Sequence, residues 1–261
     1  MDVNMHWTSE NEFVLDGTSY VCSGLPTGDR STAEQFRIIK ARWSVERYEQ
    51  LIRAMEPKNI LELGIYDGGS TAFITQFAQP NKLVAVDLTP DPCAALETFL
   101  DARDRRSAVA TYYGVNQADT STLAEILDRE FGDEPLDLVI DDASHLVDET
   151  RRSFNFLFPR LKPGGVYLIE DWSWAHNVIP PRPSRRRLTP LSVLILELML
   201  VCAHHPNAIE EIVIKKGWAL LYRGSEAIAS DVFDISTRYG EVGQELMSHL
   251  TDASTSWGQG S

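Results

Sequence analysis

Two short runs carry most of the chemistry this sequence can do. Asp141-Asp142-Ala143-Ser144-His145 follows the apolar stretch 136–141, and Glu170-Asp171-Trp172 follows the apolar stretch 165–170. If gathered in one place, Asp142, Glu170 and Asp171 would repel one another unless a cation neutralised them. A set of carboxylate oxygens without cysteine suits Mg²⁺, or else Mn²⁺ or Ca²⁺, rather than a structural zinc. His145 stands three residues after Asp142. Histidine titrates near neutrality, so His145 is the candidate general base for a hydroxyl held by such a metal. The same run also reads as a helix start, with Asp142 or Ser144 capping the helix expected over 147–160 and His145 as a turn residue.

A second constellation has the form of a nucleotide-type loop. Glu62-Leu63-Gly64-Ile65-Tyr66-Asp67-Gly68-Gly69-Ser70 leads from an apolar run straight into a helical pattern. Glycines at 64, 68 and 69 let the backbone approach a ligand closely, and the helix that follows supplies free N–H groups. Tyr66 stands where a middle glycine is common, so the strict GxGxxG pattern is not met. Asp87 ends the next β-rich run about 25 residues downstream, where an acid can hold a ribose diol.

These groups need a scaffold, and the periodicity supplies one. Helical spacing of apolar residues over about 33–55 ends before Pro57. Short β-rich runs then follow at about 58–63, 82–87, 108–113, 136–141 and 165–170. Helical patterns lie between them near 70–79, 92–105, 119–131 and 147–160. Alternation of this kind, with nearly continuous apolar strands, predicts a parallel sheet covered on both faces. An apolar helix is expected over 191–203. It carries Glu197 and is too short to span a bilayer. The runs at 209–215 and 218–223 are so close together that they must pair antiparallel.

Composition excludes partners. The chain has 261 residues, with 38 acidic against 24 basic ones, a formal net charge of −14. Coating nucleic acid needs a surplus of Lys and Arg, and an anionic membrane surface also disfavours this balance. Three separated cysteines without a CxxC fit a reducing interior. The N-terminus lacks the basic start and apolar run of a signal peptide, so the expected location is cytoplasmic, without membrane insertion.

An acid two places before the first loop glycine, as Glu62 is, and a hairpin after the fifth strand resemble the class I S-adenosylmethionine methyltransferases over about 57–223. The resemblance implies an α/β, Rossmann-like fold: a mostly parallel seven-stranded sheet with a C-terminal antiparallel hairpin and helices on both faces. It also implies S-adenosylmethionine as cofactor, contacted by Glu62, Gly64, Gly68, Ser70, Asp87 and Asp141. Adenine contacts fall to Gln117 and Asp119 in GVNQADT, although Asp119 could equally cap the next helix.

LELGIYDGGS, DDASH and VYLIEDW together narrow the resemblance to the metal-dependent sugar O-methyltransferases. That family includes the macrocin and mycinamicin enzymes, cephalosporin-hydroxylase-like proteins and mycobacterial polysaccharide sugar O-methyltransferases. Strands four and five are neighbours in such a sheet, about 4.8 Å apart. The resemblance implies Asp142, Glu170 and Asp171 as Mg²⁺ ligands, His145 as base, and transfer of a methyl group to a sugar hydroxyl of a polysaccharide precursor or glycosylated natural product. Tyr66, Trp172 and Trp174 are candidate stacking surfaces for a small-molecule or oligosaccharide acceptor. Such enzymes also assemble as homo-oligomers.

The expected organisation is an N-terminal extension and helix over 1–56 and a core over 57–233 with an acceptor loop at about 172–190. A C-terminal helix and tail follow over 234–261. Arg185, Arg186 and Arg187 read as a solvated basic loop. The rival readings are a catechol-type diol O-methyltransferase and a non-catalytic protein that binds an adenosyl ligand. The first uses an Asp-Asn pair and a lysine base, where this sequence has Glu170-Asp171 and His145.

Overall fold

The computed structural model describes residues 3–26, 28–176, 189–229 and 233–257. Most of the expected acceptor loop, with Arg185, Arg186 and Arg187, and the end of the C-terminal tail lie outside the described residues. The chain divides into two compact units, one formed by residues 1–116 and 121–137, the other by 117–120 and 138–261.

The first unit opens with four short strands: β1 (Met5–Trp7), β2 (Glu12–Leu15), β3 (Thr18–Cys22) and β4 (Gln35–Ile38). β1, β2 and β3 pair antiparallel, and β4 joins β3 in parallel. Asp16 and Gly17, with φ of 45° and 81°, make the two-residue turn between β2 and β3. Asp-Gly suits such a turn because both positions take positive φ. The polar start of the sequence, which showed no pattern of its own, is therefore a small sheet.

Its apolar side is aromatic and fully buried. Phe13 stacks on Tyr20 at 4.8 Å between ring centroids, and Phe36 meets Phe99 edge-on at 5.2 Å. The helix expected from about residue 33 begins only at Arg42. Residues 35–38 are a strand because Phe36 and Ile38 point into the core while their neighbours point out, a period of two.

From there the unit follows the expected alternation: α1 (Arg42–Met55), β5 (Asn59–Leu63), α2 (Gly69–Ala78), β6 (Lys82–Asp87), α3 (Ala94–Ala102), β7 (Val109–Tyr113) and α4 (Thr120–Glu130). β5, β6 and β7 are parallel and in consecutive register. α1 buries Val45, Tyr48, Leu51 and Ile52, the spacing of one helical face. Tyr20 ties the small sheet to α2, donating its hydroxyl proton to Gln76 Oε1 at 2.6 Å, while Gln76 Nε2 donates to the Leu15 carbonyl.

The chain enters the second unit through β8 (Leu136–Asp141), buried along its whole length. α5 (Val147–Leu157), β9 (Leu161–Glu170), α6 (Ser192–His204), β10 (Ile209–Lys215), β11 (Trp218–Arg223) and α7 (Gly240–Trp257) follow. β11 runs antiparallel to both β9 and β10, which makes the expected hairpin. The central strands form a seven-stranded sheet in the order β10-β11-β9-β8-β5-β6-β7. All five β-rich runs and the hairpin are strands of it. Among the described residues no helix is long and apolar enough to cross a membrane. In the apolar α6, Glu197 is buried and takes two hydrogen bonds from the Arg151 guanidinium of α5, at 2.8 and 3.0 Å.

Candidate active site

The loop between β5 and α2 turns through three residues of positive φ: Gly64 at 101°, Tyr66 at 50° and Gly68 at 78°. Gly69 must lack a side chain, since a Cβ there would lie 2.1 Å from the Arg37 carbonyl oxygen of β4. Asp87, at the end of β6, holds the loop open. Its Oδ2 accepts the N–H groups of Ile65 and Tyr66, both at 2.8 Å, and its Oδ1 accepts that of Thr89 at 2.7 Å. Burial pushes the Asp87 carboxyl up, but the N–H groups of Tyr66, Thr89 and Ile65 outweigh it and hold the group below the usual carboxylate range.

Glu62 is buried and accepts the Thr71 hydroxyl proton at 2.7 Å, so strand end and helix start are tied together. Ser70 lines a small recess with Lys40 and Tyr48. Tyr66 is 59% exposed at the tip of the loop, and the Arg30 guanidinium lies 5.5 Å over its ring.

Asp67 is a residue the sequence reading passed over. Buried at the loop tip, it accepts the Ser31 N–H at 2.5 Å and one Arg30 N–H at 3.4 Å, so residues 30 and 31 close over the loop. No local signal links positions so far apart in the chain.

In the second unit Asp142, His145 and Asp171 come together. Each offers one ligand atom, and these atoms all lie within 4.8 Å of one another. His145 Nε2 is 3.9 Å from Asp142 Oδ1. Two of the three residues have left-handed backbone, His145 at φ 55° and Asp171 at φ 51°. That conformation is uncommon away from glycine and concentrates at functional sites. Here it turns both side chains toward Asp142. Glu170 is not in this group; it is the buried last residue of β9, opposite Trp218 in the register with β11.

The aromatic candidates separate. The Trp174 ring lies 6.4 Å from the His145 ring, whereas Trp172 donates its indole N–H to the Lys215 carbonyl at 3.1 Å and thereby fastens the loop to β10. Gln117 and Asp141, expected at the cofactor, are both buried in a shared hydrogen-bond network. Burial raises the Asp141 carboxyl despite hydrogen bonds from Tyr167, Ser153 and Gln117. Asp119 is exposed and immediately precedes α4.

Parts of the chain are similar to known proteins. Residues 61–172 match the family described as methyltransferase domain. Demethylmacrocin O-methyltransferase of Streptomyces fradiae is 31% identical over 164 residues, 58% of this chain and 38% of that protein. L-olivosyl-oleandolide 3-O-methyltransferase of Streptomyces antibioticus is 30% identical over 138 residues, 49% of this chain and 32% of that one. The matches thus span less than half of these relatives' length. MycE methyltransferase from the mycinamycin biosynthetic pathway, solved in complex with Mg, SAH and mycinamycin VI, superposes with a TM-score of 0.52 at 23% identity. The superposition covers 70% of this chain and 49% of that one.

The fold is that of the class I methyltransferases. The match to the methyltransferase-domain family covers residues 61–172, under half of the chain.

Proposed function

We propose that this protein transfers a methyl group from S-adenosylmethionine to a sugar hydroxyl with the help of a divalent cation, Mg²⁺ first, then Mn²⁺ or Ca²⁺. The observation that carries the reading is the convergence of Asp142, His145 and Asp171 on one small volume. Two carboxylates suit Mg²⁺, which binds proteins through one or two of them and fills its remaining positions with other oxygens. Glu170, one residue before Asp171, is the third ligand that the family resemblance adds. When bound, the cation lowers the pKa of an acceptor hydroxyl and orients it, and the cofactor supplies the sulfonium methyl group.

The chain's own residues do the rest. Asp142 and Asp171 hold the cation. His145 takes the proton of the acceptor hydroxyl on a ring nitrogen, and Asp142 beside it stabilises the imidazolium that forms. Trp174, next to His145, offers a face for the sugar ring. In the first unit Glu62, Gly64, Gly68, Ser70 and Asp87 hold the donor. The buried Glu62 provides a negative neighbourhood for the methionine ammonium, and Asp87 keeps acceptor capacity for the ribose diol.

We read 57–233 as the methyltransferase core and 1–56 as contributing acceptor contacts. The hold of Arg30 and Ser31 on Asp67 supports the second role. A sugar or glycoside acceptor is supported by the L-olivosyl relative, whose name places its methyl group on a glycosylated molecule. We place the enzyme in the cytoplasm, as its free thiols Cys22, Cys93 and Cys202 suggest. It is further read as a homo-oligomer, for which exposed Leu196 and Met199 on α6 offer an apolar face.

The test is transfer from a labelled donor to a panel of free sugars, methylated mannosides and glycosylated macrolides, with Mg²⁺ or with EDTA. Labelling of a sugar hydroxyl that EDTA abolishes is the expected result. Undiminished transfer in EDTA would overturn the metal role, and no transfer to any glycoside would overturn the acceptor class.

A further inference from the structure

Gln117 sits in the segment between β7 and α4, yet it is only 5% exposed, and both N–H donors and the carbonyl oxygen of its side chain find partners within the second unit. Its Nε2 donates to Asp141 at 3.1 Å and to Ser153 Oγ at 3.1 Å. Its Oε1 accepts the backbone N–H of Ser144 at 2.8 Å. Behind it the network closes: Ser153 Oγ and the Tyr167 hydroxyl each donate to Asp141 Oδ2, at 3.0 and 2.8 Å. Asp141, Ser153 and Tyr167 come from β8, α5 and β9, and each is 2% exposed or less.

Only a carboxamide satisfies this position. It offers two N–H donors, one for Asp141 and one for Ser153, and a carbonyl oxygen for Ser144 at the same time. A methionine would leave the Ser144 N–H without its acceptor, and a glutamate would set carboxylate against carboxylate. The Ser144 N–H lies in the middle of the 142–145 turn, next to His145 with its left-handed backbone.

We propose that Gln117 is a positioning residue, whose carboxamide braces the 142–145 turn against the buried Asp141 so that Asp142 and His145 stay directed at Asp171. The inference rests on reading that trio as the metal and base site, and it takes Gln117 away from adenine. An αL histidine on an unbraced turn would sample many conformers, and ligand geometry loosened in that way lowers metal affinity about 10- to 100-fold.

The test uses the full chain in three forms: Gln117→Met, Gln117→Glu, and Gln117→Glu combined with Asp141→Asn. In the double variant one oxygen of the carboxylate introduced at position 117 accepts the Ser144 N–H. The other accepts from the amide introduced at position 141, so the brace is rebuilt with its polarity reversed. Amide exchange at Ser144, measured without metal, reads the brace directly. Mn²⁺ affinity by electron paramagnetic resonance reads the site, and calorimetry with S-adenosylmethionine reads the cofactor.

Gln117→Met should speed exchange at Ser144 and weaken Mn²⁺ binding, each by about tenfold or more. Cofactor affinity should stay within about twofold, and kcat should fall more than KM rises. The double variant should recover exchange and Mn²⁺ binding. If Gln117→Met does not fold, comparing Gln117→Glu with the double variant asks the same question.

Unchanged exchange at Ser144 would overturn the inference, as would cofactor affinity falling alone while Mn²⁺ binding held. A wild type that binds no Mn²⁺ but whose Ser144 amide is freed by Gln117→Met would support the brace and overturn the metal reading instead.

Discussion

His145 is the residue on which the proposed chemistry turns. Its replacement by alanine should lower kcat by about 10²- to 10⁴-fold, the usual contribution of a positioned base. S-adenosylmethionine binding, measured by calorimetry, should not change. Asp87 makes a different prediction. Its carboxyl is held below the ordinary range by backbone N–H groups, so the ionised form is favoured in the folded loop. The stabilisation is fully present above the ordinary aspartate pKa of about 3.9 and is lost as pH falls through the lowered value. Cofactor affinity measured against pH should therefore show no loss from Asp87 between neutrality and about pH 4, whereas Asp87→Ala should weaken it at every pH.

At the scale of elements, two close contacts decide how rigid the site's supports are. Gly69→Ala sets a methyl group 2.1 Å from the Arg37 carbonyl oxygen, so α2 and β4 must move apart. A stability loss of about 1–3 kcal/mol in urea titration is expected, together with weaker cofactor binding, because the same helix start forms the loop. In the second unit α5 and α6 are joined by Arg151 and the buried Glu197. Arg151→Met leaves that carboxylate uncompensated and should cost about 3 kcal/mol, near the low end for a broken buried pair because Arg151 is partly solvated. Adding Glu197→Leu should recover most of the loss, since an apolar replacement of both partners is often neutral.

At the scale of the whole molecule, the N-terminal stretch is more than an appendage. Phe13, Tyr20 and Phe36 are fully buried and pack on Phe73 and Phe99 within the first unit. A chain beginning at residue 39 would expose that aromatic surface. It should lose the cooperative thermal transition seen by circular dichroism, rather than merely losing acceptor binding. The net charge of −14 also acquires local content. Glu62, Asp87, Asp141, Asp142, Glu170 and Asp171 all lie at strand ends or just past them, while most of the other acids among the described residues are exposed.

Much of this was legible in the sequence because it depends on neighbours along the chain. A period of two or of 3.6, a glycine where φ must be positive and an acid at the end of an apolar run are local facts. They determined the five parallel strands, the hairpin, the loop at Gly64 to Gly69 and the acids of the site. The strand at Gln35–Ile38 was hidden because Phe36 and Ile38 also fit the helical spacing that continues through α1. Only pairing with β3 decides between the two.

Tertiary structure alone decided which acids meet and what holds them. Asp142, His145 and Asp171 converge through two left-handed residues, and Gln117 reaches Ser144, 27 positions away. The hold of Asp67 on Ser31 spans a similar separation. A backbone sign change or a hydrogen bond between distant residues leaves no periodic trace, because its energy depends on positions that exist only once the chain has folded.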